Sequence, residues 1–298
     1  MNNSESVTAF YDVMFSHNAE NLNLLETTTM AAIESALANK DELSNKIKPL
    51  PVIQLKLLQL LDKPDAHYME IADLINQDPT LAARVLQIVN SAQNSSGFVI
   101  KDLNTAVARL GITGIAEIAS SLMMKTIQPP KPIYYKMYGK QIWTHSLHTA
   151  YLCKGFAAAL EEEEFSGYFL GLIHDVGKIV VFDCLIDAIA TSDIDDEPGS
   201  LEFREYITEA SLEISAVVAK NWGLPANFVE ALEQQSTAVT TPLAVSLRCA
   251  NACAEEYLTQ KPSPGEDYQL PILATHDQSF SAVWNSFLQQ ADDLSNLG

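Results

Sequence analysis

Apolar residues recur along most of this 298-residue chain at intervals of three and four, the spacing of helices that bury one face. The pattern is weak between residues 22 and 37 and strong from Val52 onward, and its longest runs cover residues 138–160 and 201–222. Apolar and polar positions nowhere alternate for long enough to indicate a strand. The pattern therefore predicts an all-α, multi-helix protein.

Capping and helix-breaking residues indicate where single helices begin and end. Asp78 can accept hydrogen bonds from free backbone amides, and Pro79 suits the first turn of the helix that follows. Gly223 and Pro225 are typical of the end of a helix. The helix that Asp78 and Pro79 open carries apolar residues from Leu81 to Ala92 on one side. The other predicted helices cover residues 52–61, 68–75, 103–110, 112–127, 166–189, 226–233, 242–258 and 280–294.

Two proline-rich breaks divide the chain into three parts. Pro49 and Pro51 favour an extended backbone directly after a polar, acidic region. A second break contains prolines at positions 129, 130 and 132. The predicted parts are an N-terminal helical arm (residues 1–45), a first helical half (46–130) and a second helical half that includes the C-terminal helices (131–298).

The charge of the chain limits its partners. It has 18 Lys and Arg against 38 Asp and Glu, a formal net charge of −20, and four of the basic residues are Arg. Nucleic-acid backbones and anionic membrane surfaces are bound by clustered basic side chains. The composition therefore excludes both as main partners, and it favours a protein with a basic patch that is attracted at long range.

Cysteine usage and the first residues indicate the compartment. The four cysteines are too few and too scattered for a disulfide framework. Cys249 and Cys253 share a helix face, but we interpret them as core thiols because no second pair completes a zinc site. The chain starts without the basic and apolar segments of a secretory signal. Charges interrupt its apolar runs before the ~18 residues that a membrane span needs. We expect a cytoplasmic protein.

The segment from Gly171 to Lys178 carries the clearest candidate chemistry. An adjacent His174 and Asp175 can bind one metal ion with imidazole nitrogen and carboxylate oxygen if a helix end lets the two side chains converge. Gly177 permits a ligand or a backbone segment to approach closely, and Lys178 could contact a phosphate as a point charge. A His-Asp pair alone is a weak signal, because a second pair at positions 276 and 277 lacks the Gly-Lys context and is interpreted as a loop feature.

A third histidine strengthens this interpretation. His145 precedes His174 by 29 residues and lies in a long predicted helix. His148 is one helical turn further on, so the two side chains are expected to share a face. A lone helical histidine is more often a structural residue than a ligand, and it is the combination with the Gly171–Lys178 segment that indicates function.

These residues resemble a known family. The Trp143-Thr144-His145-Ser146 helix followed by the segment Gly171–Lys178 is similar to the HD phosphohydrolase superfamily. Several first-half motifs, taken in order, resemble the HDOD domain, the HD-related output domain of bacterial signalling proteins. They are Leu50-Pro51, Asp78-Pro79-Thr80-Leu81, Ala83-Arg84-Val85-Leu86, Val89-Asn90-Ser91-Ala92 and Ala106-Val107-Ala108-Arg109-Leu110-Gly111. The resemblance covers about residues 43–250 and implies an HD-like helical bundle with an N-terminal helical subdomain.

The resemblance also implies a set of metal ligands. In active HD enzymes, a first His, the His-Asp pair and a later Asp bind the metal; His145, His174 and Asp175 match the first three, and Asn251 stands at the fourth position. Dinuclear members use two further histidines, and this chain has Ser211 and the sequence Glu233–Ser236 in those regions. We therefore expect a vestigial or weak metal site, with a single divalent cation at most and no other cofactor.

Three interpretations of function follow. We favour a non-catalytic bacterial signal-transduction module that acts through protein–protein interaction with another signalling protein. The alternative is a metal-dependent phosphohydrolase that acts on a nucleotide or phosphodiester through the residual site, with Lys178 against phosphate. The third is a structural role in which Asp175 caps a helix or pairs with Lys178, and this role is compatible with the first.

The cleft between the two predicted halves is a second candidate ligand site. Arg84, Asn90 and Arg109 lie in the motifs expected near that cleft. The competing interpretation is that Arg109 pairs with an acidic neighbour and binds no ligand.

Overall fold

The computed structural model describes residues 10–11, 13–15, 20–61, 63, 67–91, 99–129, 135–191, 196–263, 270–276 and 278–295. Within those residues the regular structure is helical and no strand occurs, which confirms the predicted all-α class. The predicted loop at residues 94–97, most of the proline-rich break after residue 129, and Asp277 lie outside the described residues.

The helices follow one another nearly as predicted, except that the helices expected over residues 166–189 and 280–294 are each divided in two. In chain order the α-helices of the described residues are α1 (Leu24–Ala38), α2 (Lys40–Lys46), α3 (Val52–Leu61), α4 (Tyr68–Asn76), α5 (Pro79–Val89), α6 (Leu103–Lys125), α7 (Lys140–Ala159), α8 (Glu164–Ile173), α9 (Val176–Thr191), α10 (Leu201–Asn221), α11 (Ala226–Glu233), α12 (Pro242–Gln260), α13 (Gln278–Leu288) and α14 (Ala291–Ser295). A π-helical turn, Tyr135–Gly139, precedes α7, and a 3-10 turn, Leu273–Thr275, precedes α13.

The N-terminal arm packs against the second half of the chain. Helix α1 contacts α9 and α10, and α2 contacts α9. The buried carboxylate of Glu26 on α1 accepts hydrogen bonds from the backbone amides of Gly199 and Ser200, at 2.7 and 2.8 Å. Lys46 at the end of α2 pairs with Asp183 on α9 at 3.1 Å. These polar contacts position the arm although its apolar periodicity is weak.

Helices α4 and α5 pack against α6 in the first half. Asp78 caps α5 as predicted, because its Oδ1 accepts hydrogen bonds from the amides of Thr80 and Leu81 at 2.9 and 3.1 Å. The break predicted at Gly111 is also confirmed. This glycine has a φ of 77°, and it kinks α6 into two helical stretches. Such a backbone conformation strains any residue with a Cβ.

Helix α6 is, by length and composition, long and apolar enough to cross a membrane, with a mean hydropathy of 1.3 over 18 residues. Arg109 and Glu117 interrupt its apolar sequence, and the kink at Gly111 interrupts its helix. The helix also packs against α4, α5 and α8. A core helix passes the same test, so α6 is weak evidence for a membrane span.

Helix α7 lies at the centre of the second half, where it packs along α8, α12 and α13. The approach of α8 to α7 requires Gly171, since a Cβ there would lie 2.7 Å from the Thr149 carbonyl oxygen. Gly177 does the same for α9 and α10, because a Cβ there would overlap the Ser211 carbonyl oxygen. The glycines of the Gly171–Lys178 segment therefore allow four helices, α7 to α10, to approach closely around this segment.

The prediction of a single helix over residues 166–189 is wrong. The structure has two helices there, α8 and α9, with His174 and Asp175 between them. Ser215 on α10 satisfies backbone groups at this turn. Its hydroxyl accepts a hydrogen bond from the Gly177 amide at 2.9 Å and donates one to the His174 carbonyl at 2.7 Å. Residues on both sides of the turn are buried, so the apolar pattern continues across it and hides it.

Candidate functional site

The structure brings the predicted ligands His145, His174 and Asp175 together. His145 projects from α7, and the other two lie at the turn between α8 and α9. All three are buried, and one nitrogen or oxygen atom from each lies within 4.8 Å of the others. Among the described residues, this is the group of His, Cys, Asp and Glu side chains that is close enough to hold a metal ion.

Lys178 completes the cluster with a positive charge of its own. From the first turn of α9, its Nζ donates a hydrogen bond to Asp175 Oδ2 at 2.9 Å, and both side chains are buried. Burial alone would raise the pKa of Asp175, but the adjacent His174, Lys178 and His145 lower it below the usual range. Burial would lower the pKa of Lys178, but Asp175 outweighs that effect and raises it. The two side chains therefore form a buried, charged pair.

His145 also bonds to the same carboxylate oxygen. Its Nδ1 lies 2.6 Å from Asp175 Oδ2, and burial lowers the pKa of the imidazole to about 3. A neutral imidazole beside a carboxylate donates the hydrogen on that nitrogen, which leaves the lone pair on Nε2. This Nε2 is buried without a hydrogen-bond partner among the described residues.

His174 faces oxygen acceptors at both ring nitrogens. Its Nδ1 lies 2.6 Å from the Gly171 carbonyl oxygen, and burial lowers its pKa. Its Nε2 lies 2.9 Å from Asn251 Oδ1 and 3.2 Å from Asp175 Oδ1. These oxygens only accept, so the neutral ring can donate to one side and the protonated ring donates to both. Histidines that bind metals commonly donate their other ring hydrogen to a carbonyl, as Nδ1 can do here.

As they stand, these donors do not fit a metal ion that activates water. The one carboxylate, Asp175, already has its Oδ2 bonded to His145 and neutralised by Lys178. The fourth position is the neutral amide of Asn251, which contributes no charge. With its one carboxylate already paired, the set offers a divalent cation little binding energy, and no catalytic step is assigned to a metal at this site.

A cavity of about 160 Å³ adjoins the cluster. Ser211 and Gln235 line it together with His174 and Asp175, so the regions in which the resemblance led us to expect further histidines do face the site. Glu255, which was not predicted from the sequence, also lines the cavity. Burial raises its pKa to about 7, and it accepts a hydrogen bond from Asn251 Nδ2 at 3.2 Å. The four-residue spacing of these two side chains on α12 was a signal for it.

The N-terminal arm covers one side of the cluster, which the sequence did not indicate. Phe10 is buried against the His145 ring, with centroids 4.8 Å apart, and Lys178 Nζ lies 4.1 Å from the centroid of its ring. Tyr11, from the same segment, lines the cavity. Their polar, acidic surroundings in the sequence concealed this role.

The other predicted histidines lie elsewhere. His148 does not share the site of His145, and that expectation was wrong. Its buried ring contacts Tyr257 and Phe287, with centroids 5.3 and 5.2 Å away, and burial lowers its pKa to about 4. The three-residue spacing turns it toward α12 and α13. His276 stacks on Phe280 at 4.3 Å, beyond this cluster.

The second predicted site, near Arg84, Asn90 and Arg109, stays a prediction. Both arginines are exposed. The Asn90 amide is engaged with the backbone: its Nδ2 donates to the Ile100 carbonyl and its Oδ1 accepts from the Ile100 amide, each at 2.8 Å. Asn90 thus connects the end of α5 to the segment before α6.

Comparisons with known proteins agree with this architecture. A candidate phosphohydrolase of Shewanella amazonensis superposes with a TM-score of 0.62 at 18% identity, over 89% of this chain and 97% of the other. A candidate signal transduction protein of Marinobacter aquaeolei superposes with a TM-score of 0.66 at 18% identity, over 94% of this chain and 66% of the other. An HDOD domain protein of Geobacter sulfurreducens with unknown function superposes with a TM-score of 0.59 at 22% identity, over 89% of this chain and 97% of the other. These likenesses show the fold.

Sequence comparison reaches the same group. An uncharacterized protein of Treponema pallidum is 25% identical over 213 residues, which are 67% of this chain, and this chain spans 38% of that protein's length. The HDOD domain family matches residues 47–238, nearly two thirds of the sequence. With the His145, His174 and Asp175 cluster in place at the centre of an all-α bundle, this match establishes that the chain belongs to the HDOD domain family.

Proposed function

We propose that this chain is a signal-transduction module that acts by binding another protein, and that its HD cluster is a structural ion-pair centre without catalytic function. The observation that carries the proposal is the 2.9 Å pair between Lys178 and Asp175. The one carboxylate in the donor set already has a cation from its own chain.

A divalent metal would have to share the Asp175 carboxylate with that ammonium, because Lys178 bonds Oδ2 and only Oδ1 faces His174 Nε2. Two cations on one carboxylate repel each other, and displacing Lys178 would break a buried pair at a cost of about 3–5 kcal/mol. Asn251 supplies no charge to offset the cost. The balance therefore favours the metal-free cluster.

The charge distribution supports a basic partner. Residues 1–45 contain one Lys or Arg against seven acidic residues, and residues 131–298 contain nine against 24. Residues 46–130 are nearly neutral, with eight against seven. A partner with a basic patch would be steered toward the arm and the second half, and its binding would weaken as salt increases. The name of the Marinobacter relative, a candidate signal transduction protein, fits this role.

The first test is catalytic. The full chain is assayed with nucleoside monophosphates and a bis-nitrophenyl phosphodiester in the presence of Mn²⁺ or Mg²⁺, beside Asp175→Asn. Asp183→Asn is the control, because Asp183 is a buried carboxylate of α9 that pairs with Lys46 outside the cluster. We expect no turnover that depends on Asp175. Turnover abolished by Asp175→Asn and retained by Asp183→Asn would overturn the proposal.

The second test is the interaction itself. Affinity capture from the native cell extract at low salt should return a stoichiometric partner that dissociates as ionic strength rises. Recovery of no stoichiometric partner at low salt contradicts the proposal.

A second candidate function, a metal-dependent phosphohydrolase, is supported by the two imidazoles. His145 Nε2 is buried without a hydrogen-bond partner among the described residues, and His174 Nε2 lies 2.9 and 3.2 Å from two oxygens with which it could share a cation. A bound divalent cation would supply a water of lowered pKa. The name of the Shewanella relative, a candidate phosphohydrolase, fits this alternative. Calorimetric titration with Mn²⁺ distinguishes the two, since tight binding that is lost in His174→Gln favours the enzyme.

A further inference from the structure

An aromatic groove crosses the second half of the chain beside the HD cluster. We define the groove by the aromatic and cationic side chains that line it. They are Tyr138, His145, Lys178, Phe182, Phe203 and Arg204. These side chains come from the turn before α7 and from α7, α9 and α10, and the rings of Tyr138 and Phe182 lie 4.5 Å apart.

The groove is filled by three aromatic residues of the arm: Phe10, Tyr11 and Phe15, here called the aromatic triplet. All three are at most 4% exposed. Tyr11 lies 6.4 Å from Phe182, and Phe15 lies 6.2 Å from Phe203, measured between ring centroids.

Two cations of the groove lie against the triplet. Lys178 Nζ is 4.1 Å from the ring centroid of Phe10, and Arg204 Cζ is 5.8 Å from that of Phe15. A cation over an aromatic face is attracted by the ring, most strongly where water is excluded. The groove is therefore built to accept aromatic side chains.

The groove and the aromatic triplet that fills it lie in different parts of the sequence. Every groove residue lies within residues 47–238, the part that matches the HDOD family, whereas the triplet lies outside that part. Without the triplet, the rings of Tyr138, Phe182 and Phe203 would lose the side chains that cover them, beside the cavity that Tyr11 lines. Exposed apolar surfaces of this kind commonly mark protein interaction sites.

We propose that the groove is the docking surface for a partner's aromatic segment, and that the aromatic triplet is an intramolecular ligand that competes with the partner for it. This proposal rests on the proposed interaction function and names the surface and the kind of partner. The partner segment carries two or three aromatic side chains spaced like those of the triplet, which occupies positions 10, 11 and 15.

The test uses a labelled peptide of residues 6–17 as the probe and the full chain as the receptor. In Phe10→Ala/Phe15→Ala the internal ligand is weakened, so this variant should bind the peptide at least about tenfold more tightly than the wild type, in which the groove is occupied. A peptide with both phenylalanines replaced by alanine should not bind. Phe280→Ala, which removes a buried ring from α13 outside the groove, should bind no better than the wild type.

Two results would overturn the proposal. One is a folded double variant that does not bind the peptide, and the other is equal binding to wild type and variant. Should the variant fail to fold, hydrogen exchange on the wild type decides. The Phe15 amide, which donates to the Tyr11 carbonyl at 2.8 Å, should exchange at least about 100-fold faster than the Cys153 amide in α7. Equal protection of the two amides shows that the triplet is a fixed part of the core.

This result is separable from the proposed function. Turnover that depends on Asp175 would refute the non-catalytic function and leave the peptide measurement standing. Failure of the peptide to bind, with no turnover found, would refute the groove and leave the interaction function to another surface.

Discussion

The two halves of the HDOD core bury different kinds of side chain. In the described part of residues 47–129, the buried polar residues are Gln54 and Ser120, and neither ionises. The described part of residues 135–295 buries eight acidic or basic side chains of the types Asp, Glu, His, Lys and Arg, namely His145, His148, His174, Asp175, Lys178, Asp183, Arg204 and Glu255. A charge in a core costs free energy unless it is paired or neutralised. The contrast indicates that the first half supports the fold while the second half maintains the site.

The largest effect on stability is expected from breaking the ion pair of the second half. Asp175→Asn leaves the Lys178 ammonium buried without its anion, and the free energy of unfolding should fall by about 3–5 kcal/mol. Urea denaturation at neutral pH measures this. Lys178→Met added to Asp175→Asn should recover most of the loss, because a neutral, apolar replacement needs no partner. If the single variant is as stable as the wild type, the pair is not a structural centre.

The second prediction concerns pH and Glu255. The unfolded chain releases this proton near pH 4.5, whereas the folded chain retains it to about pH 7, so this group makes the wild type less stable as pH rises through that window. Glu255→Gln should match the wild type below pH 4.5 and exceed it by about 3 kcal/mol above pH 7. Thermal unfolding across this range checks it, and a constant difference between the two proteins contradicts it.

A third, smaller effect tests the arm. Glu26→Gln weakens the hydrogen bonds from the Gly199 and Ser200 amides to a buried carboxylate, and it should destabilise the chain by about 2 kcal/mol. The control is Glu34→Gln, an exposed acid on the same helix, which should change the melting temperature little. Equal effects of the two substitutions would mean that the arm is not held by Glu26.

The smallest effect belongs to the first half. Ile71 on α4 is fully buried among apolar neighbours, and Ile71→Val removes one methylene at a cost of about 1 kcal/mol. Because the neighbours of Ile71 are apolar, the substitution should shift the pH–stability curve uniformly and leave its shape unchanged. A change of shape would show that the halves are electrostatically coupled and would weaken the comparison.

The candidate site was predictable in identity but not in arrangement. His145, His174 and Asp175 were recognisable because their motifs lie at a spacing typical of the HD superfamily, and the structure places them together. The role of Lys178 was open between a phosphate contact and a partner of Asp175, and only the 2.9 Å contact distinguishes them. His148 was misplaced because a helical repeat does not say which neighbouring helix each face meets. Whether a metal binds remains a prediction.

The sequence by itself determined the helical class, most helix boundaries and the family, because periodicity, caps and glycine breaks act between residues close in the chain. The tertiary structure decided the turn at His174 and Asp175, the covering of the cluster by Phe10, and the arrival of Glu26 at the start of α10. These features depend on groups far apart in sequence. Glu26, for example, meets an amide 174 positions away. No local pattern encodes such a meeting, since it follows from how the helices pack.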